Sequence, residues 1–161
     1  MSRIISEIPA YELKSGNEEV SFAIRSTHDI LEMFGPHTDK PHRHQYFTVI
    51  WSHNASGKHI VDYKEFEMHE NDIFFVSPGQ VHQVLHNENP DGTVILFTCE
   101  FLSKNFISEN FISNLNLFDE ISSSPPIRVD KRTAEILHEI KTKMKTILSK
   151  NDPFKFDLIG A

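Results

Sequence analysis

The sequence predicts a mainly β fold, an antiparallel sandwich or barrel, which is followed by C-terminal α-helices. From Glu19 to about Glu100, short runs of β-branched and aromatic residues are separated by turn residues at near-regular spacing. This region lacks helical periodicity in its sequence, which argues against a parallel sheet built from βαβ units. After Asp130 the pattern changes, and apolar residues recur at helical spacing.

Six strands are expected in the first region. Their sequences are EVSFAIR, YFTVIW, KHIVDY, DIFFVS, VHQVLH and TVILFTCEF. Turn residues break the series at Asn54–Gly57, at Pro78-Gly79 and at Asn89–Gly92. Short strands with such punctuation are typical of sandwiches and barrels.

The region after residue 100 is expected to be helical. Phe and Leu at mixed spacing between Phe101 and Phe118 predict short helical turns that cover an open edge or end of the barrel. The run SSSPP at 122–126 predicts a linker. Asp130 fits the N-cap of the clearest helix, which is expected to stop at Asn151–Pro153.

One strand face requires a cover. Phe47, Val49 and Trp51 alternate along YFTVIW and are too apolar to face water. The long helix carries an apolar face, with lysines opposite, formed by Leu137, Ile140, Met144, Ile147 and Leu148. We expect the part with Ile140, Met144 and Ile147 to cover the strand, unless a second chain does so.

Composition limits the classes of function. The chain has 161 residues, enough for one domain, and a net charge of −7, which argues against binding nucleic acid by itself. There is no signal peptide pattern and no apolar run of membrane-spanning length, so a cytoplasmic protein without membrane contact is expected. The single cysteine, Cys99, excludes an intramolecular disulfide and is interpreted as a small buried hydrophobe.

Histidines give the strongest functional signal. His42, His44, Tyr46 and Thr48 are two residues apart and share one strand face, and His82 shares a face with Val84 and His86. If both faces line one interior, three or four imidazoles converge and can hold a transition metal or contact a ligand. The alternative is that these are partly exposed or hydrogen-bonded core histidines. Phe75 and Phe97 are expected as apolar walls.

The spacing HRHQYFTVI…SPGQVHQVLH resembles the two motifs of cupins, and in particular the N-terminal effector-binding domain of AraC-family transcription regulators. His42, His44 and His82 match the histidines of that pattern, and NDIFFVSPGQVH matches closely with Asn71 in place of glycine. Thr48 stands where cupin metal sites have glutamate. The resemblance implies an antiparallel cupin-type (jelly-roll) β-barrel, with a sensing barrel at 1–121 and a linker and helical dimerisation segment at 122–161.

The resemblance also implies a function. It implies a non-enzymatic sensing and dimerisation domain that binds a small effector, with a weak preference for a sugar or polyol. The ligand-binding residues expected are His42, His44, Tyr46, Thr48, His82 and His86. A homodimer is expected, and DNA contact only through a helix-turn-helix part that is absent from this chain. No cofactor is expected. The alternative is a metal-dependent cupin enzyme, of dioxygenase or isomerase type, with a divalent transition metal on His42, His44 and His82.

Overall fold

A computed structural model describes residues 8–35, 40–54, 57–87, 89–118 and 125–161. The strands of the described residues are β1 Ala10–Tyr11, β2 Lys14–Ser15, β3 Glu18–Glu19, β4 Phe22–Ser26, β5 Arg43–His44, β6 Phe47–Ser52, β7 Gly57–Val61, β8 Lys64–Met68, β9 Asp72–Val76, β10 His82–His86, β11 Gly92–Phe97 and β12 Ile127–Arg128. The helices are α1 Thr27–Phe34, α2 Cys99–Lys104, α3 Glu109–Asn114, α4 Lys131–Ser149 and α5 Lys155–Gly160.

Two antiparallel sheets form the body of the fold. One has five strands in the order β12-β9-β6-β11-β4, and the other has three in the order β10-β7-β8. The predicted mainly β fold with C-terminal helices is therefore confirmed. In the described residues the strands form separate sheets rather than one closed barrel, and the short β1–β5 pair is parallel.

A hydrophobic core lies between the two sheets. The larger sheet contributes the inward-facing Ile50, Phe74 and Leu96, and the smaller sheet contributes Met68 and Val84. All five are buried. Alternation along each strand places these side chains inward and their sequence neighbours outward.

The C-terminal helices cover the outer face of the five-stranded sheet. Phe47 packs in one cluster with Met144 and Leu148, while Trp51 packs in a second cluster with Ala134 and Leu137. The prediction that a helix covers this strand face is confirmed.

The predicted contact face of the helix needs a correction. Of the residues expected to cover the strand, Met144 packs in the cluster with Phe47, whereas Ile140 is 46% exposed and, like Ile136 at 50%, lies outside the sheet contact. Periodicity alone could not separate the two faces, because apolar residues occupy both.

The last predicted strand is shorter than expected. TVILFTCEF leaves the sheet after Phe97, because the Thr98 side chain accepts a hydrogen bond from the backbone N–H of Phe101 and caps α2. Cys99 therefore begins a helix and is exposed, so its interpretation as a buried hydrophobe was wrong.

Helix α1 was not predicted. Ser26 Oγ accepts from the Asp29 N–H at 3.0 Å, and the Asp29 carboxylate accepts from the Ser26 N–H at 2.8 Å. This reciprocal capping box is a sequence signal for a helix start. The segment was missed because it interrupts a series of strands.

Two turn residues have the positive φ angles that the sequence indicates. The Gln80 N–H donates to the Ser77 carbonyl, with Gly79 at φ +79°, as a turn with a Pro-Gly centre requires. Asn71 has φ +65°, a conformation that glycine adopts freely, at the position where the resembling pattern has glycine. The predicted turn residues 55–56, the linker residues 122–124 and the boundary at 121/122 lie outside the described residues.

A buried carboxylate attaches β12 to the rest of the sheet. Asp72 is 1% exposed and accepts hydrogen bonds from Arg128 Nε at 2.8 Å and from the His69 N–H at 2.9 Å. Burial raises the pKa of Asp72, but the hydrogen bonds from Arg128 and His69 outweigh it and hold the pKa below its ordinary value.

We expect Asp72→Asn to lower the free energy of unfolding by about 2 kcal/mol at neutral pH, since charge-assisted hydrogen bonds are lost. Urea denaturation measures the loss, with the exposed Asp157→Asn as control. The pKa is depressed on folding, so this contribution is present above the unfolded pKa and is lost as pH falls through the folded pKa. A difference from wild type that stayed constant down to strongly acidic pH would contradict this role.

Candidate functional site

His42, His44 and His82, here called the histidine cluster, are brought together by backbone pairing. His42 and His82 form an isolated antiparallel bridge, in which the backbone N–H of each donates to the carbonyl of the other at 2.9 and 2.8 Å. His44 lies on β5, and its carbonyl accepts from the N–H of Gly79 at 2.8 Å. The Pro-Gly turn therefore holds the second motif against the first.

The three rings lie in direct contact. Ring centroids are 4.4 Å apart for His42 and His82, 4.8 Å for His42 and His44, and 4.9 Å for His44 and His82. Each ring offers one nitrogen, and these nitrogens all lie within 4.8 Å of one another. The exposed fractions are only 5%, 9% and 3% for His42, His44 and His82. The predicted convergence of three imidazoles is confirmed.

Hydrogen bonds hold two rings of the cluster in place, and some of the cluster's nitrogen atoms have no partner among the described residues. His42 Nδ1 donates to the Lys40 carbonyl at 2.8 Å, so the neutral ring presents Nε2 as an acceptor. His82 Nδ1 is 3.0 Å from Nε2 of the fully buried His59. Within the described part of the chain, His44 Nδ1, His82 Nε2 and Thr48 Oγ1 are buried with no hydrogen-bond partner. Such atoms indicate a group that the site is built to receive.

Burial keeps the cluster uncharged at neutral pH. Burial, and to a smaller extent the neighbouring His42, lower the pKa of His44 to about 3. The pKa of His82 is also held well below its usual range, first by burial and then by the neighbouring histidines. Burial lowers the pKa of His42 against the raising effect of its bond to Lys40. Neutral imidazoles can coordinate a metal or exchange hydrogen bonds with an organic ligand.

The cluster lines a cavity between the two sheets. This cavity, here called the chamber, has a volume of about 60 Å³ and is partly open to solvent. Its apolar wall consists of Ile30, Phe34, Ile50, Val84, Val94 and Leu96. No Asp, Glu, Lys or Arg is among the described residues that line it. A mostly apolar cavity with a few convergent polar groups is typical of small-molecule sites.

All six residues predicted for ligand binding line the chamber: His42, His44, Tyr46, Thr48, His82 and His86. Whether they bind a ligand stays a prediction. Phe75 and Phe97 do not line it, because they contact Phe118 on the helix-covered face of the sheet. Their expected role as walls was wrong.

Sequence reasoning missed other parts of the site. His59 contacts His82 from behind, and its alternation with Val61 on β7 indicates an inward position. Helix α1 adds Thr27, Ile30 and Phe34 to the lining. The capping box was the signal that could have revealed this wall.

The donor set fits a divalent transition metal as well as an organic ligand. Three neutral imidazoles whose nitrogens lie within 4.8 Å of one another could provide three ligands and leave further positions open. Thr48 occupies the sequence position at which the resembling cupin pattern has glutamate, and its hydroxyl is a weak substitute for a carboxylate ligand. Any metal held here would have only neutral ligands among the described residues of the cluster.

Among the described residues, no helix is both long enough and apolar enough to cross a lipid bilayer.

Comparison with known proteins gives one family match. Residues 34–150 match the model of the AraC-like ligand binding domain. No curated protein sequence matches the chain significantly.

Similar solved structures include an AraC-like transcriptional activator, a cupin and ToxT. ToxT from Vibrio cholerae O395, bound to (E)-4-(8-methylnaphthalen-1-yl)but-3-enoic acid, is 14% identical, with a TM-score of 0.44 over 88% of this chain and 55% of that chain. The AraC-like transcriptional activator CuxR is 13% identical, with a TM-score of 0.45 over 87% and 46%. A cupin protein from Bacteroides fragilis is 17% identical, with a TM-score of 0.34 over 55% and 84%. The chain spans about half the length of ToxT and of CuxR.

Proposed function

Because this chain belongs to the family of AraC-like ligand binding domains, we propose that it is the small-molecule-sensing domain of an AraC-type transcription regulator. The observation that carries this proposal is the chamber, whose lining includes buried atoms on His44, Thr48 and His82 without a partner among the described residues. We propose that the effector binds there. Its role is to be sensed rather than converted, so the domain is proposed to be non-enzymatic.

Two strands of the five-stranded sheet connect the chamber to helix α4. On β6, Ile50 lines the chamber while the adjacent Trp51 packs against Ala134 of α4. On β11, Val94 lines the chamber while the adjacent Thr93 accepts a hydrogen bond from Lys141 at 3.3 Å. An effector that shifts either strand would bias the position of α4, which is how ligand affinity couples to a distant surface.

Ligand binding can be tested by thermal stabilisation of the purified chain with a panel of sugars, polyols, alcohols, phenols and carboxylic acids. A ligand at a roughly hundredfold excess over Kd stabilises by about 2.7 kcal/mol, or about 5 to 10 °C in Tm for a domain of this size. We expect Val84→Phe, which fills the chamber, to abolish the shift. Leu85→Phe, the outward neighbour on β10, should keep it. The proposal fails if no compound stabilises the chain, or if Val84→Phe responds like wild type.

We propose that α4 also forms a homodimer interface, through a second apolar stripe. Ile136 and Ile140 are half exposed and lie one helical turn apart, on the side away from the sheet contact made by Ala134 and Leu137. The division into a sensing unit at 1–121 and a dimerisation segment at 122–161 remains part of this proposal.

The double variant Ile136→Lys/Ile140→Lys is expected to sediment as a monomer at concentrations where the wild type is dimeric, since charges desolvated at an interface oppose association. Analytical ultracentrifugation measures this. Leu158→Lys on α5, of similar exposure, is the control. A wild type that is monomeric throughout, or a double variant that still dimerises, would contradict the interface.

DNA contact is proposed to belong to another part of the regulator. The net charge of −7 does not suit a phosphate-binding surface. A bacterial regulator of transcription acts at the chromosome, so the cytoplasm is the proposed location.

A metal-dependent cupin enzyme is the second candidate function, and the histidine cluster is the observation that favours it. His42, His44 and His82 would hold a divalent transition metal, which when bound supplies Lewis-acid polarisation of an oxygen atom. The residues themselves provide the neutral nitrogens, with His42 oriented by Lys40 and His82 oriented by His59.

The presence of a hydroxyl rather than a carboxylate at position 48 leads to a prediction about metal affinity. Thr48→Glu should raise Co²⁺ affinity by roughly tenfold or more, because an anionic ligand replaces a neutral hydroxyl. His82→Ala should abolish binding. Co²⁺ titration followed by visible absorption reports both, and the exposed Thr142→Glu serves as the control. Unchanged Co²⁺ binding in His82→Ala would show that Co²⁺ does not bind at this site.

A further inference from the structure

A second group of titratable side chains lies outside the chamber, where helix α4 meets the five-stranded sheet. It consists of His53, Asp91, Thr93, His138 and Lys141, and is here called the α4 interface cluster. His138 and Lys141 belong to α4, Thr93 lies on β11 and His53 directly follows β6. The ring centroids of His53 and His138 are 4.9 Å apart. An imidazole of the sheet and an imidazole of the helix therefore share one contact.

Hydrogen bonds in the α4 interface cluster run from Lys141 towards Asp91. Lys141 Nζ donates to His138 Nδ1 at 3.1 Å and to Thr93 Oγ1 at 3.3 Å. Because Thr93 Oγ1 accepts from Lys141, its own hydrogen is available to His53 Nε2, which lies 3.1 Å away. His53 Nδ1 then carries the ring proton and faces the Asp91 carboxylate at 3.4 Å. Both imidazoles therefore act as hydrogen-bond acceptors, which only the neutral ring can do.

Protonation of either imidazole opposes this arrangement. A protonated His138 directs an N–H at the Lys141 ammonium, and a protonated His53 directs one at a hydroxyl that already accepts from Lys141. The charged groups that act on this contact are Lys141, with Lys145 beyond it on α4, and Asp91 before β11. The Asp91 side chain is 70% exposed, so solvent screens its attraction for the positive charges.

The pKa directions agree with this geometry. Burial lowers the pKa of His53 and of His138, and Lys141 lowers both further against the raising effect of Asp91. Once α4 has left the sheet, both rings regain an ordinary pKa near about 6.5. The released state therefore binds more protons than the docked state, so the docking of α4 weakens as pH falls through this range.

We propose that the α4 interface cluster is a pH-dependent contact, which releases the N-terminal half of α4 from the sheet in mild acid while the two sheets stay folded. The apolar contact that it supports involves Ala134 and Leu137 of α4, packed around Trp51. This device needs no ligand in the chamber and does not depend on the proposed sensing function.

The indole N–H of Trp51 reports on this contact. Trp51 is the single tryptophan of the chain, is 4% exposed and lies 4.4 Å from His138 between ring centroids. Its Nε1 is buried and has no hydrogen-bond partner in the described part of the chain, so burial under α4 protects it from exchange. Proton NMR of the full chain measures the exchange rate from pH 7 to 6, with N-acetyltryptophanamide as the unprotected reference and a chelator present.

We expect the protection factor of the Trp51 indole to fall by up to about threefold for each of the two histidines between pH 7 and 6. His53→Gln/His138→Gln should abolish this fall, because an amide keeps a hydrogen-bond acceptor but does not titrate. The single variant His138→Gln, altered only on the helix surface, should keep about half of the fall on a logarithmic scale. His28→Gln, whose wild-type side chain is 77% exposed, should leave the fall unchanged.

The backbone amides of the central strand β6 separate release of the helix from unfolding of the domain. If α4 leaves on its own, the indole exchanges through a more frequent opening than these amides do. Indole protection equal to that of the β6 amides would mean that the indole exchanges only on global unfolding, which overturns the proposal. Indole protection that is constant from pH 7 to 6, or that falls equally in the double variant and the wild type, overturns it as well.

Discussion

The free energy of unfolding is expected to fall steeply as pH is lowered from 6.5, because three histidines are buried in a neutral form. His44 and His59 have pKa values lowered to about 3, chiefly by burial, and the pKa of His82 lies well below its ordinary value of 6.5. In the unfolded chain these groups regain ordinary pKa values near 6.5. The unfolded state therefore binds more protons throughout the interval, and stability decreases as pH falls.

The expected slope is large. Each histidine that is protonated only in the unfolded state contributes about 1.4 kcal/mol per pH unit, so three contribute about 4 kcal/mol per pH unit below their unfolded pKa. Typical domains have only about 5–15 kcal/mol of stability. We therefore expect this domain to unfold near or below about pH 5 and to keep its full histidine contribution above pH 6.5.

Urea denaturation at a series of pH values, with a chelator present, measures this slope. His59→Gln removes one titrating group and should reduce the slope by about one proton. His28→Gln is the matched control, because the His28 side chain is 77% exposed. Stability that stays flat from pH 7 to 5 would show that these imidazoles are not buried in the neutral form.

Phe101→Ala is expected to cost about 3–5 kcal/mol, the second large effect. Phe101 is 5% exposed, its ring centroid is 4.8 Å from that of Phe22, and it packs in the cluster that contains Met144 and Leu148. It therefore connects α2 to the sheet and to the long helix. Truncation leaves a cavity at a contact shared by three elements.

The chain provides a close control. Phe106 is 96% exposed, so Phe106→Ala should change stability by no more than about 0.5 kcal/mol. Urea denaturation midpoints of the two variants give the comparison. Equal effects of the two substitutions would mean that the helical cover contributes little to stability.

Local patterns in the sequence predicted six of the longer strands, the long helix and which residues of a strand share a face. Alternation placed His42, His44, Tyr46 and Thr48 together, and all of them line the chamber. The Pro-Gly turn and the N-cap at Asp130 were readable because each depends on a few adjacent residues. The family followed from the same motifs and is shown by the match over 34–150.

Prediction from local sequence patterns failed where a residue could lie on either of two faces and the local sequence fitted both equally well. Alternation assigns Phe75 and Phe97 to one of two faces, but only packing decided that their face lies under the helices. Both sides of α4 carry apolar residues, so only the sheet contact distinguished Ala134 from Ile140.

The tertiary structure alone decided the chemistry of the site. Sequence spacing placed three histidines on inward faces, but pairing between distant segments set their nitrogens within 4.8 Å and placed His59 behind His82. The period of a strand is a local property of the backbone, whereas the register between strands depends on which side chains fit together across the core.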